Sequence, residues 1–265
     1  MKGTFTVSRG SDAWRSAIVK VNMVAAGGIL VAAVGANFHL KGYCHASTMW
    51  TIAQIICIFA ITALKDNVQM ALLRFCSFLA LSFSAGVNVG SWIHSALQET
   101  GFCHGSGLKY FPDIDGIAKM FRGSSSAYLK ICKPDVMNGM VLEAFLMSLG
   151  IYAAISLTTY MSSSRNYARY GNILSMSMWV LFGSQILFYF NFIGQQFFED
   201  IYVKFGLAVY CVKIMFDAEV TADQAQTGDI DVLSRSVDAT MNFLHVFIRV
   251  ITIMKDSQKK KNRRD

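Results

Sequence analysis

Apolar residues run along this chain in long blocks, broken by short polar stretches, with little of the alternation that marks a half-buried strand. Blocks at about 18–40, 46–64, 70–97, 138–161, 171–193 and 197–216 are each close to the ~20 residues that carry a helix across a bilayer. A less apolar seventh block lies at about 236–254. The first, second, fifth and sixth blocks are apolar nearly all round. A soluble bundle would keep a polar stripe on each helix, whereas lipid as solvent asks for none. The pattern therefore predicts an all-α membrane protein with six to seven transmembrane helices.

Composition agrees. The 265 residues are 54% hydrophobic and 15% charged, with two prolines and a mean hydropathy of +0.40. Soluble domains carry roughly a quarter charged residues. The opening stretch, MKGTFTVSRGSDAWRSAIVK, lacks a continuous apolar core and a small-residue cleavage site, so it is not read as a signal peptide. Three regions follow: an arm at 1–17, a transmembrane domain at 18–254 and a basic tail at 255–265.

Charge sets an orientation. Basic residues favour the cytosolic side, and they gather in the arm (Lys2, Arg9, Arg15, Lys20), in the loop after the fourth span (Arg165, Arg169) and in the tail. The tail has six basic against two acidic residues, +4 of the chain's net +7. Arm, loop and tail are all expected in the cytosol, and the connection holding Lys65 and Asp66 falls on the same side. Seven full crossings would send the tail to the other side. Either the seventh segment is re-entrant or interfacial, or the tail departs from the rule. The tail reads as a solvated end that also suits anionic lipid headgroups. Without a soluble reading domain it gives no reason to expect nucleic acid.

The long connection, 98–137, is punctuated by Gly, Ser and Pro and reads as loop with one short amphipathic helix near 117–121. Cys103 and Cys132 bracket it. They are free thiols in a reducing space or a disulfide in an oxidising one, and an endoplasmic reticulum lumen favours the disulfide. Cys44 lies in another non-cytosolic loop, and Cys57, Cys76 and Cys211 fall in spans as packing residues. The Cys44–His45 and Cys103–His104 dipeptides lack zinc-finger spacing, so no metal site is expected.

Polar residues inside the spans carry the functional signal. Asp238, Asn242, His245 and Arg249 are spaced four, three and four, which places them on one helical face. That face belongs either to an amphipathic helix lying in the interface or to a helix whose polar stripe looks into the bundle. Asp217 tips the choice inward. It ends a very apolar run, and an acid there costs roughly 2.5–3.5 kcal/mol on insertion scales unless it faces a partner or a wet cavity. Lys213, one turn earlier, is the candidate partner. Glu143 is a second acid, early in span four. Arg74, opening the third span, is expected to snorkel to the headgroups. No Ser-His-Asp, zinc or phosphate-loop pattern is present, so no enzyme and no cofactor is expected.

Residues 216–247 resemble the closing signature of the Bax inhibitor-1 family. Phe216–Asp217, Gly228–Asp229, Asp231 and Asp238 stand at the family's spacings, and FSAGVNVG (83–90), VLEAF (141–145) and RNYARYGNIL (165–174) extend the likeness upstream. The resemblance implies seven helices wrapped round a central one. It further implies an endoplasmic reticulum or other membrane, suppression of cell death and a pH-dependent Ca²⁺ leak, with Ca²⁺ the transported ion. In the family, two facing aspartates on helices six and seven share a proton and gate the pore. Asp217 matches the first, whereas the second falls at Asn242, which cannot ionise. Asp238 matches a further acid found in some members, and Lys213 stands where an apolar residue is expected. The expected protein is thus a cell-death regulator acting on Ca²⁺ through an altered acidic gate (Asp217, Asp238, Asn242, Lys213). A non-conducting scaffold that works through apoptosis-regulating membrane proteins is the alternative, and a seven-helix receptor ranks third. Membrane lipids are expected partners of either.

Overall fold

A computed structural model describes residues 6–44, 48–64, 70–99, 134–161, 171–189, 200–227 and 230–262. Where the apolar blocks lie, the chain is helical: α1 (Thr6–Leu40), α2 (Thr48–Ala63), α3 (Ala71–Glu99), α4 (Pro134–Met161), α5 (Gly171–Tyr189), α6 (Gly206–Thr227) and α7 (Val232–Asn262). A π-helical turn, Asp200–Phe205, runs straight into α6. There is no strand among the described residues. Local chemistry sets several ends. Pro134 opens α4, where its missing N–H costs nothing. Past α1, Gly42 takes a φ of 77°, and the N–H groups of Gly42 and Tyr43 return to the carbonyls of His39 and Phe38.

Helices α1, α3, α4 and α7 each contain a stretch long and apolar enough to cross a membrane, and α2 is a shorter apolar helix of 16 residues. Their outer faces expose large apolar side chains, among them Met23, Phe59, Leu72 and Leu142. Such surfaces are stable against lipid and not against water. The protein is a multi-pass helical membrane protein.

The helix with the most polar stripe occupies the middle. α7 packs against α1, α2, α3, α4 and α6, and its Phe243, Val246, Phe247, Val250 and Ile251 form the heart of the core. Lipid would leave the stripe unpartnered, whereas the bundle interior supplies partners. The alternative of an interfacial α7 is therefore excluded by its burial. α7 is also longer than the 236–254 block. It starts at Val232 and continues through the basic run to Asn262, because Lys and Gln propagate a helix well and no Gly or Pro interrupts them. Ser236 meets the Val21 carbonyl of α1, and Arg249 meets Gly206 at the start of α6. α7 thus lies along α1 near its start, with Thr240 also donating to the Ala25 carbonyl, and reaches the start of α6 further on.

Asp217 does not end the sixth helix. After it the chain continues Ala218–Thr227 as helix, burying Glu219, Thr221 and Ala222, and the first strong breaker is Gly228. The long loop with Cys103 and Cys132, its expected short helix, and Lys65, Asp66, Arg165 and Arg169 lie outside the described residues.

Small residues bring α1 and α3 together. A Cβ on Gly86 would run into the Ala32 carbonyl, and one on Gly35 into the Phe83 carbonyl, while Gly90 sits against Ala36. Backbones this close are a common way to pack helices in lipid, where apolar side chains gain little from leaving one apolar medium for another. Gly86→Ala is expected to destabilise by about 2–3 kcal/mol, since the clash is with backbone that cannot swing aside. Gly27→Ala, where nothing lies within 4 Å, should stabilise by up to about 1 kcal/mol through helix propensity. Thermal melts of the two variants in detergent check the contrast.

Candidate functional site

Midway along the α6–α7 pair the polar stripe finds its partner. The Oδ2 atom of Asp217 accepts from Lys213 Nζ at 2.5 Å and from Asn242 Nδ2 at 2.6 Å. Lys213 reaches it as an i, i+4 neighbour on α6, and Asn242, 2% exposed, comes across from α7. The Lys213 and Asp217 side chains are 22% and 18% exposed, so the cluster is enclosed without being sealed. Hydrogen bonds to a charged acceptor contribute roughly 1.5–3 kcal/mol each, more than neutral ones. The carboxylate is thereby neutralised from within the chain.

A cavity of about 30 Å³ opens beside it, room for about two water molecules. Asn22 from α1, Tyr152 and Ser156 from α4, and Thr221 and Arg235 line it together with Asp217 and Asn242. The Tyr152 hydroxyl donates to Asn22 Oδ1 at 3.2 Å, tying α4 to α1 over the cavity. Asp238 is not part of the lining; its side chain is 43% exposed and lies 3.4 Å from Arg235, which also donates to Gln224 Oε1 at 2.9 Å.

The remaining polar candidates go elsewhere. Glu143 is exposed on the outer side of α4 and does not join the cluster. His245 and Arg249 continue the α7 stripe beyond Asn242 and stack on tyrosines of the α6 side. Arg74 does not snorkel. Its side chain is 12% exposed, its Nη2 pairs with Asp231 Oδ2 at 2.5 Å and its Nε donates to the Ile61 carbonyl at 3.0 Å. The physical reason is that a carboxylate and a helix-end carbonyl are both within reach, and they hold a guanidinium better than a distant headgroup does. Asp231 is itself the N-cap of α7, accepting from the Ser234 N–H at 3.3 Å and from its hydroxyl at 2.7 Å. Desolvation pushes the Asp231 carboxyl up, but the Ser234 and Arg74 hydrogen bonds outweigh it and hold the carboxyl below its usual range.

Residues 120–259, more than half of the chain, match the family model "Inhibitor of apoptosis-promoting Bax1". The chain belongs to the Bax inhibitor-1 family. Curated relatives agree. Bax inhibitor 1 of Oryza sativa subsp. japonica is 25% identical over 227 residues, covering 76% of this chain and 87% of that protein. Bax inhibitor 1 of Rattus norvegicus is 26% identical, with 63% and 69% covered. Bax inhibitor 1 of Arabidopsis thaliana is 27% identical over 142 residues, so the chain matches 56% of that protein's length. No solved structure matches the chain.

In this Bax inhibitor-1 family member the sequence pattern located Asp217, Lys213 and Asn242, and the fold brings all three together. It missed Asn22, Tyr152, Ser156 and Arg235. An Asn in the first apolar block and a Tyr in the fourth were visible, but their shared position depends on how α1 and α4 pack, which no local spacing encodes.

Proposed function

We propose that this protein regulates cell death from the endoplasmic reticulum membrane and acts on Ca²⁺ homeostasis through a gate at the α6–α7 contact. Membership of the Bax inhibitor-1 family and the multi-pass fold support the setting. The observation that carries the gate is the double occupancy of one oxygen, since Lys213 and Asn242 both donate to Asp217 Oδ2. A hard cation such as Ca²⁺ needs six to eight oxygen ligands, at least some of them charged. Here a tethered ammonium sits where such a cation would approach, and an amide replaces the second carboxylate. The gate is held shut, and any leak through it is small.

Purified protein in liposomes, loaded with a Ca²⁺ indicator, tests this. The expected result is a low flux that is nearly equal at about pH 6 and pH 8, because the groups bonded to Asp217 are an ammonium and an amide, with no second carboxyl to share a proton. A large flux, or one that changes strongly across that interval, sinks the account. Complete absence of flux favours the second reading, a non-conducting scaffold that acts through partner membrane proteins. The same internal neutralisation of Asp217 supports that reading.

A further inference from the structure

Away from the Asp217 cluster, a second cavity of about 180 Å³ lies among α1, α3, α4 and α7. Its floor is buried and apolar: Ala32 and Ala36 from α1, Val89 from α3, and Phe243, Leu244 and Phe247 from α7. Its rim is open. Ala33 and Asn37 of α1 are exposed, and Val141 and Phe145 of α4 are half-buried. α4 packs on α6 and α7, and α1 on α3, α6 and α7, so the mouth falls between α1 and α4. Next round each helix, Leu30 and Val34 on α1 and Leu142 and Leu146 on α4 are exposed apolar side chains. The cleft is therefore continuous with the surface that the bilayer covers. On its inner side the Phe243 ring meets Phe145 at 5.6 Å and Tyr152 at 6.1 Å, edge to face. Tyr152 lines the cavity beside Asp217 and the two phenylalanines line this one, so the three rings separate them.

Asn37 is the one polar residue that lines the cleft, and it stands at the rim. A water molecule needs two to four polar partners, which this floor does not offer. An apolar cavity of about 150 Å³ stays dry and accepts a benzene-sized guest. Scaled from the six carbons of benzene, this one takes a segment of about seven. A helix, about 10 Å across, is too wide for it. Depth selects a chain from one leaflet. The crossing stretch of α1 ends at Leu40, with Lys41 next, and Ile29 to Leu40 spans about 16 Å, half of a ~30 Å hydrocarbon core. We propose that the cleft holds a segment of one acyl chain of a bilayer lipid, entering sideways between α1 and α4 with its headgroup toward Leu40. Asn37, one turn below Leu40, offers amide donors to the ester carbonyls of that lipid. The inference is independent of whether Asp217 gates anything.

The test uses the full chain in phosphatidylcholine vesicles that contain a trace of phosphatidylcholine with a diazirine on one acyl chain. After illumination, mass spectrometry locates the carbene adducts. Labelling of Phe243, Leu244 or Phe247 is expected, since lipid on the outer face does not reach these buried residues. The labelling should also be graded with depth. α7 runs beside α1 in the same direction, Ser236 at Val21 and Thr240 at Ala25. A diazirine near the methyl end should therefore favour Phe243, and one nearer the headgroup Phe247. Ala33→Trp, which fills the mouth from an exposed position, should lower floor labelling about tenfold, equivalent to ~1.4 kcal/mol of overpacking. Val34→Trp, one position further round the lipid face, should leave it unchanged, and Leu142 on the outer face should be labelled in every case. Should Ala33→Trp fail to fold, the depth series on the unmodified protein decides. Label confined to outer-face residues overturns the proposal, as does floor labelling that survives in Ala33→Trp or runs in the reverse order of depth. A mouth covered by a second copy of the chain would leave the floor unlabelled and overturns it likewise.

Discussion

Arg74→Ala is expected to lower the stability of the folded protein by about 2–4 kcal/mol, read as a fall in melting temperature in detergent. The size follows from what one side chain holds together. Arg74 pairs with Asp231 at 2.5 Å and donates to the carbonyl of Ile61 at 3.0 Å, two residues before the last residue of α2. The last carbonyls of a helix have no partner within it. Asp231 meanwhile caps α7 through Ser234. A single contact thus closes the end of α2 and the start of α7, and fixes α3 to both. Removing the arginine strands a half-buried carboxylate as well as a carbonyl, and an unpaired charge costs more than a missing pair. Arg74→Met combined with Asp231→Asn, which removes the charge and keeps the cap, should therefore recover much of the loss. If the double variant is as unstable as Arg74→Ala, the pairing is not what stabilises this end.

The same clasp has a pH signature. Because the Asp231 carboxyl is held below its usual range in the fold, its contribution is fully present above the unfolded value of about 4 and is lost as pH falls through the lower, folded one. Acidification below about pH 4 should destabilise the unmodified protein more than Arg74→Ala.

How far the sequence foretold this depended on the range of the interaction. The blocks of apolar residues locate the helices, and a spacing of four, three and four puts Asp238, Asn242, His245 and Arg249 on one face of α7. Those are consequences of helical periodicity, which is local. Asp217 was legible as an acid in need of a partner, because lipid offers none. Ends were less legible. The apolar run stops at Asp217, but helix formation depends on propensity and breakers as well as hydropathy, so α6 continues to Thr227. Arg74 shows the limit most clearly. On its own helix it is a basic residue at a span's edge, and its real partner is 157 residues away. Gly86 and Gly90 entered only as part of the family likeness at 83–90, and their role in packing against α1 is set by the assembled bundle.

Lys213→Leu together with Asn242→Asp should convert a nearly closed, pH-indifferent site into one that responds to pH. In the unmodified chain the Asp217 Oδ2 has two donors, an ammonium and an amide, and among the described residues no carboxyl is hydrogen-bonded to it. The double change deletes the tethered cation and puts a second carboxyl where the Asn242 amide now sits, 2.6 Å from Asp217 Oδ2. Two carboxyls that close cannot both stay ionised, and they share a proton that leaves nearer neutral pH than either would lose alone. While the proton is held, it bonds α6 to α7. Once it leaves, repulsion separates the helices and two carboxylates face the water-sized cavity that Asn22, Tyr152 and Thr221 line, a suitable set of oxygens for a hard cation. A Ca²⁺ flux in liposomes that changes about tenfold between pH 6 and pH 8 is expected. Each single change should fall short, since Lys213→Leu leaves one acid without a partner to share with, and Asn242→Asp leaves the ammonium in place to neutralise the pair. A double variant that folds, as judged by its melting, and still shows a flat flux across that interval would falsify the assignment of the gate to Asp217.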